Sequence, residues 1–177
     1  MITNTINSYG KISKIFHWLM FALFLGMFAI AYTMINIPSS NFSLSLYDLH
    51  KATGLLLLGL AFMRLLWNVM NQHPELADAK KSVKFAAKLN VFTLYFLMFV
   101  MPLTGIGMST LSGHHVSFFG IFEIPALADN PAADKFFSLA HEWLAYLLIA
   151  VFSLHVAGAL YHHYIRKDDV LRRMKPF

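Results

Sequence analysis

The chain has 177 residues, of which 58% are hydrophobic and only 13% charged, a composition outside the range of soluble globular domains and typical of integral membrane proteins. It contains no cysteine, which excludes disulfides, thiolate zinc sites, cysteine-held iron–sulfur clusters and covalently attached haem. The formal net charge of +5 comes from basic residues beside apolar runs, without an aromatic–basic recognition motif, so anionic membrane lipid and not nucleic acid is the expected polyanion.

In chain order, residues 1–14 form a short polar arm carrying Lys11 and Lys14. The first apolar run, residues 15–37, is long enough to span about 30 Å and stops before Pro38. Basic residues ahead of an apolar core, with Ala29-Ile30-Ala31 inside it, also suggest a secretory signal. The run continues past those alanines, however, and cleavage would discard His17. The second run, residues 49–69, opens on Leu49-His50-Lys51 and carries Arg64 near its far end. Residues 71–88 are a polar connection with Pro74 and four lysines. The third run, residues 89–108, is uncharged and holds Pro102, Gly105 and Gly107, which are better tolerated in membrane helices than in soluble ones and are expected to kink or loosen this one. Residues 109–139 read as a long loop with an interfacial patch at Phe118-Phe119, and the fourth run, residues 141–164, precedes a basic tail. The reading is an all-α, integral membrane, four-helix transmembrane bundle forming a single domain over residues 1–177.

Lys11, Lys14, Arg64, the lysines of the second connection and the tail together hold twelve of the fourteen basic residues, and only Lys51 and Lys135 fall on the other side. Lys and Arg accumulate on the cytoplasmic side of membrane proteins, so both termini are expected in the cytoplasm. The protein is then expected to be a multi-pass membrane protein.

The chemistry lies in the histidines. His141 and His155 are fourteen residues apart on the fourth run, a spacing that puts them about 40° apart on one helix face and about 21 Å apart along it. A bare imidazole in hydrocarbon is unfavourable, so two on one stripe call for partners, a metal or a polar cavity. With alternating spans, His50 falls at the outer depth of His141, and His17 at the inner depth of His155. Each pair could clamp a haem iron between helices through neutral imidazole nitrogens, giving two haem b groups with axial ligands His17, His50, His141 and His155. Zinc fits less well, since only two ligands meet at each level, and methionines such as Met98 and Met101 on an apolar helix are ordinary packing residues. His162, on the same stripe as His155, is a rival ligand at the inner level. Gly54 and Gly158 follow His50 and His155 by one turn, either clearing room for a flat macrocycle or allowing close helix packing. His73, His114, His115 and His163 are expected to be solvated. Arg64 either snorkels to lipid phosphate or pairs with a haem propionate or quinone oxygen. Lys51 stands at the outer mouth beside His50, within reach of a propionate or small anion. Trp18, Trp67 and Trp143 read as interfacial anchors.

These residues carry a resemblance. His17-Trp18, His50 with Gly54, Arg64-Leu65-Leu66, Pro102 with Gly105, and the block His141-Glu142, His155, His162-His163, Lys167-Asp168 and Leu171 together resemble the bacterial cytochrome b561 family, also called the superoxide oxidase family, over essentially the whole length. The resemblance implies a four-helix, multi-pass protein of the bacterial inner (cytoplasmic) membrane with two b haems on the same four histidines, and ubiquinone as electron acceptor near the cytoplasmic haem, with His162 and Arg64 as contacts. It also implies superoxide as donor at the outer face, hence a superoxide:ubiquinone oxidoreductase; no catalytic side chain is assigned. One departure bears on the donor. Relatives that oxidise superoxide carry basic residues in the first outer loop, whereas residues 38–47 have none and the outer side sums to minus three with its histidines neutral. The alternatives are a cytochrome b subunit taking electrons from a soluble hydrogenase or dehydrogenase partner docked on the long outer loop, and a cofactor-free transporter whose histidines relay protons or metal.

Overall fold

The computed structural model describes residues 1–74, 80–127 and 129–175; Glu75 and Asp78 of the second connection lie outside them. Four long helices dominate: α1 (Lys11–Asn36), α2 (Asn41–Val69), α3 (Lys81–Leu111) and α4 (Pro131–Tyr161). Each is long and apolar enough to cross a membrane. An antiparallel hairpin of β1 (Val116–Phe118) and β2 (Phe122–Ile124) joins α3 to α4, with Val116 opposite Ile124. A π-helical turn, His162–Arg166, and a short 3-10 turn, Arg172–Met174, complete the chain.

Every helix extends beyond its apolar run. α2 starts at Asn41 instead of Leu49 and α4 at Pro131 instead of His141, because capping, not hydropathy, decides where a backbone turns helical. Ser40 accepts from the Ser43 N–H while Ser43 returns a bond to the Ser40 N–H, a capping box. Asn130 accepts from the Ala133 N–H, Pro131 opens the helix with the fixed φ suited to that position, and Asp134 lies in the positive first turn. The first loop thereby shrinks to residues 37–40, and the expected long loop 109–139 to residues 112–130, which the hairpin fills. α3 stays helical through Pro102, Gly105 and Gly107.

α3 packs most extensively on α4, α1 on α2, and β1 lies against the start of α2. Met20, Leu57, Ala61 and Met98 form the small buried core, flanked by Leu23, Phe24, Met27, Leu60, Tyr95 and Phe99. Large apolar side chains such as Leu25, Phe62, Phe92 and Leu154 point outward, which suits a bundle whose solvent is lipid. α3 and α4 approach closely at Gly107, where a Cβ would lie 2.9 Å from the Phe137 ring.

Both termini close the same end of the bundle. Asn4 is buried, gives an N–H to the Gln72 carbonyl, and accepts from the Gly10 N–H and the Ser13 hydroxyl. At Gly10 a Cβ would run into the Ile2 and Thr3 backbone, so only glycine admits that approach. At the other terminus, the Trp18 indole N–H donates to the Met174 carbonyl at 2.7 Å. The Trp67 indole likewise donates to Ser13. Of the three expected interfacial anchors, Trp18 fastens the C-terminal segment, Trp67 ties α2 to the start of α1, and Trp143 alone is strongly exposed.

Candidate functional site

Two histidine pairs meet inside the bundle, one toward each end. Near the hairpin, His50 of α2 faces His141 of α4 with ring centroids 6.3 Å apart. Near the termini, His17 of α1 faces His155 of α4 at 6.1 Å. Among the described residues, no group of three or more His, Cys, Asp or Glu side chains could hold a metal ion by itself. Two imidazoles per level therefore suit an iron whose remaining ligands come from a porphyrin. A metal held between two imidazole nitrogens, each about 2 Å away, would need ring centroids roughly 6 Å apart, and the two pairs have that separation.

A ligating histidine normally gives its other ring N–H to an acceptor, which leaves the iron-facing nitrogen unprotonated. His155 Nδ1 lies 3.1 Å from Asn90 Oδ1, and the Asn90 amide is held in turn by the Val151 carbonyl at 3.0 Å. His141 Nδ1 lies 3.1 Å from the Met101 carbonyl and 3.0 Å from Thr104 Oγ1, whose own O–H goes to Met101 at 2.8 Å. Both α4 histidines thus carry the proton on Nδ1 and leave Nε2 free. Asn90 and Thr104 were not singled out in the sequence. The available signal was an uncompensated polar side chain on the third apolar run.

The other two histidines differ. His50 Nδ1 is buried and has no hydrogen-bond partner among the described residues. His17 Nδ1 lies 3.2 Å from Arg64 Nη2. A guanidinium can only donate, so His17 Nδ1 accepts here and its proton sits on Nε2. For His17 to hold an iron through Nε2, that proton would have to pass to Nδ1 and the guanidinium would have to turn off the ring. Arg64 points into the bundle, its Nη1 3.9 Å from Met20 Sδ and its guanidinium carbon 5.7 Å from the Tyr95 ring centroid. It does not snorkel.

The glycines discriminate between a cleft and close packing. A Cβ on Gly54 or Gly158 would meet nothing within 4 Å, although both positions are half-buried. Close helix packing at these glycines is therefore absent, and each leaves open space one turn from a paired histidine. Gly105 acts differently: a Cβ there would lie 3.2 Å from His141 Cε1, so its absence lets α3 support that ring.

His162 is not part of either pair. Its Nδ1 lies 2.6 Å from Asp168 Oδ2. Partial desolvation would raise the Asp168 pKa, but the His162 hydrogen bond, the Val170 N–H and the Arg166 charge overcome it and hold the carboxyl below its ordinary range. His163 was expected in solvent, yet its Nδ1 is buried and without a hydrogen-bond partner among the described residues, because the π-helical turn keeps this segment packed on the end of α4. His73, His114 and His115 are exposed, as expected. Lys51 is tied down, 3.1 Å from Asp48 and 3.2 Å from the His115 carbonyl.

Comparison with known proteins adds a lineage to this geometry. A family model described as prokaryotic cytochrome b561 matches residues 8–177. Cytochrome b561 homolog 2 of Escherichia coli (strain K12) is 38% identical over 97% of this chain and 93% of its own length. Cytochrome b561 homolog 1 of the same organism is 30% identical over 97% and 98%. A protein of Yersinia pestis named probable superoxide oxidase CybB is 27% identical over 72% of this chain and 73% of its own length.

Proposed function

From the premise that this chain belongs to the prokaryotic cytochrome b561 family, and so is a haem b-type electron-transfer protein of a bacterial membrane, we propose that it carries electrons from the outer face of the inner membrane to the quinone pool through two b haems. His50 and His141 hold the outer haem and His17 and His155 the inner one. The observation that carries this reading is the meeting of four histidines as two facing pairs, at 6.3 and 6.1 Å, on helices that otherwise face lipid. Bound there, the haems supply one-electron carriers close to each membrane surface.

The protein's own groups do the rest. Asn90, Met101 and Thr104 hold the α4 rings in the tautomer that presents Nε2. Gly54 and Gly158 keep the clefts beside the rings open. The donor we propose is superoxide: two superoxide anions each lose one electron to become dioxygen, and ubiquinone takes those two electrons with two cytoplasmic protons to become ubiquinol. The Yersinia pestis relative's name supports that donor. At the outer mouth the sequence offers Lys51, which is paired with Asp48, and Lys135 to attract the anion. At the inner face the His162–Asp168 pair, 2.6 Å apart, lies where a proton could be held for the quinone.

Stopped-flow mixing of the oxidised, purified protein with superoxide tests this. Haem reduction that superoxide dismutase abolishes, followed by reoxidation on adding ubiquinone, is the expected course. Reduction no faster than the dismutase control would remove superoxide and favour a soluble dehydrogenase or hydrogenase subunit as donor.

A further inference from the structure

The two histidine pairs match in one member and differ in the other. In both, the α4 histidine gives its Nδ1–H to a neutral oxygen at 3.1 Å, Asn90 Oδ1 for His155 and the Met101 carbonyl for His141. These contacts raise the basicity of both ligands alike and so cancel when the two sites are compared. The second members differ by a unit charge. His17 has the Arg64 guanidinium at 3.2 Å, while His50 Nδ1 is buried with no hydrogen-bond partner among the described residues. Lys51, the cation next to His50, is paired with Asp48 at 3.1 Å, and that carboxylate is largely exposed. Among the described residues, Arg64 has no carboxylate within ion-pair distance, and its contacts are His17, Met20 Sδ and the Tyr95 ring.

We infer that Arg64 holds the His17–His155 site at a higher reduction potential than the His50–His141 site, so that an electron arriving at the outer face runs inward. The inference rests on the two-haem reading and adds to it an order of potentials and the residue that sets that order. Reduction lowers the charge of a haem site by one, and a fixed cation in a poorly screened interior favours the reduced form. Arginine keeps its charge at any physiological pH. When His17 gives Nε2 to iron, its Nδ1 becomes a donor and Arg64 must swing off the ring. Met20 and the Tyr95 face lie beside the guanidinium, and the side chain's root on α2 limits how far its charge can move. In the transfer, one electron leaves the outer iron and one arrives at the inner iron; no bond forms or breaks, and no proton has to move.

Spectroscopic redox titration of the purified full-length protein in detergent, with haem content measured on the same samples, tests this. The wild type should titrate in two waves, and the higher one should be missing in His155→Ala. Arg64→Gln should lower that same wave and leave the other in place, while Arg64→Lys, which keeps the charge, should leave both near wild type. Should Arg64→Gln fail to retain its inner haem, Arg64→Met is titrated in its place, and a higher wave unmoved in that variant overturns the inference. Loss of the lower wave in His155→Ala overturns the inference, as does an Arg64→Gln protein with two haems titrating like wild type; both outcomes leave the two-haem reading standing. A wild type without two haem equivalents removes that reading, and the inference with it.

Discussion

Four imidazoles meet as two pairs inside an apolar bundle, and the hydrogen bonds on Nδ1 distinguish one histidine from another. His155 is oriented by Asn90, whereas His162 is bonded to Asp168 at 2.6 Å and so is committed elsewhere. His155→Ala should therefore lose one haem equivalent in a pyridine haemochrome assay, and His162→Ala should keep both. Loss of a haem in the second variant would reverse the assignment. Asn90→Leu removes the acceptor that fixes the His155 tautomer, and such supporting contacts are worth about 10- to 100-fold in metal affinity. Haem transfer from the variant to apomyoglobin should accelerate by that order.

At the scale of helices, the glycines distinguish space kept for a cofactor from space closed by packing. Gly158→Leu should fill the open volume beside His155 and lower haem content, with the helical circular dichroism and melting temperature of the haem-free protein unchanged. Gly107→Leu should do the reverse, because its side chain meets the Phe137 ring that already lies 2.9 Å from the Cβ position. Overpacking of this kind costs about 1–3 kcal/mol, visible as a lower melting temperature in detergent whether or not haem is bound. Equal effects of the two substitutions on haem-free stability would show that Gly158 is a packing residue after all.

For the whole molecule, the decisive quantity is the uneven distribution of charge. With twelve of the fourteen basic residues at the terminal end, both termini should face the cytoplasm. The absence of native cysteine makes this simple to check: in intact spheroplasts a membrane-impermeant maleimide should label Lys135→Cys and not Lys175→Cys. The opposite pattern would invert the membrane and, with it, the direction of electron flow. With the termini in the cytoplasm the outer face would be net negative, and superoxide would be met by Lys51 and Lys135 against a repulsive background. Haem reduction by superoxide should then speed up as salt screens that face, over ionic strengths where the Debye length falls below about 10 Å.

Composition and hydropathy alone determined the membrane class, the number of spans and the two depths at which histidines could meet, because the bilayer's thickness and the helical rise are the same for every chain. They did not determine where the helices begin. Ser40 and Asn130 settle that through local backbone bonds that an apolar-run reading does not weigh. Depth already favoured His155 over His162 as the neighbour of His17, and the fold brings the His17 and His155 rings together; the inward turn of Arg64 came only from the fold. Asn90, Met101 and Thr104 as acceptors came from it too. Each of these contacts joins residues on different helices, so each depends on how far one helix is rotated against another, and that rotation is set by side-chain packing such as Phe137 on Gly107, which no single span encodes.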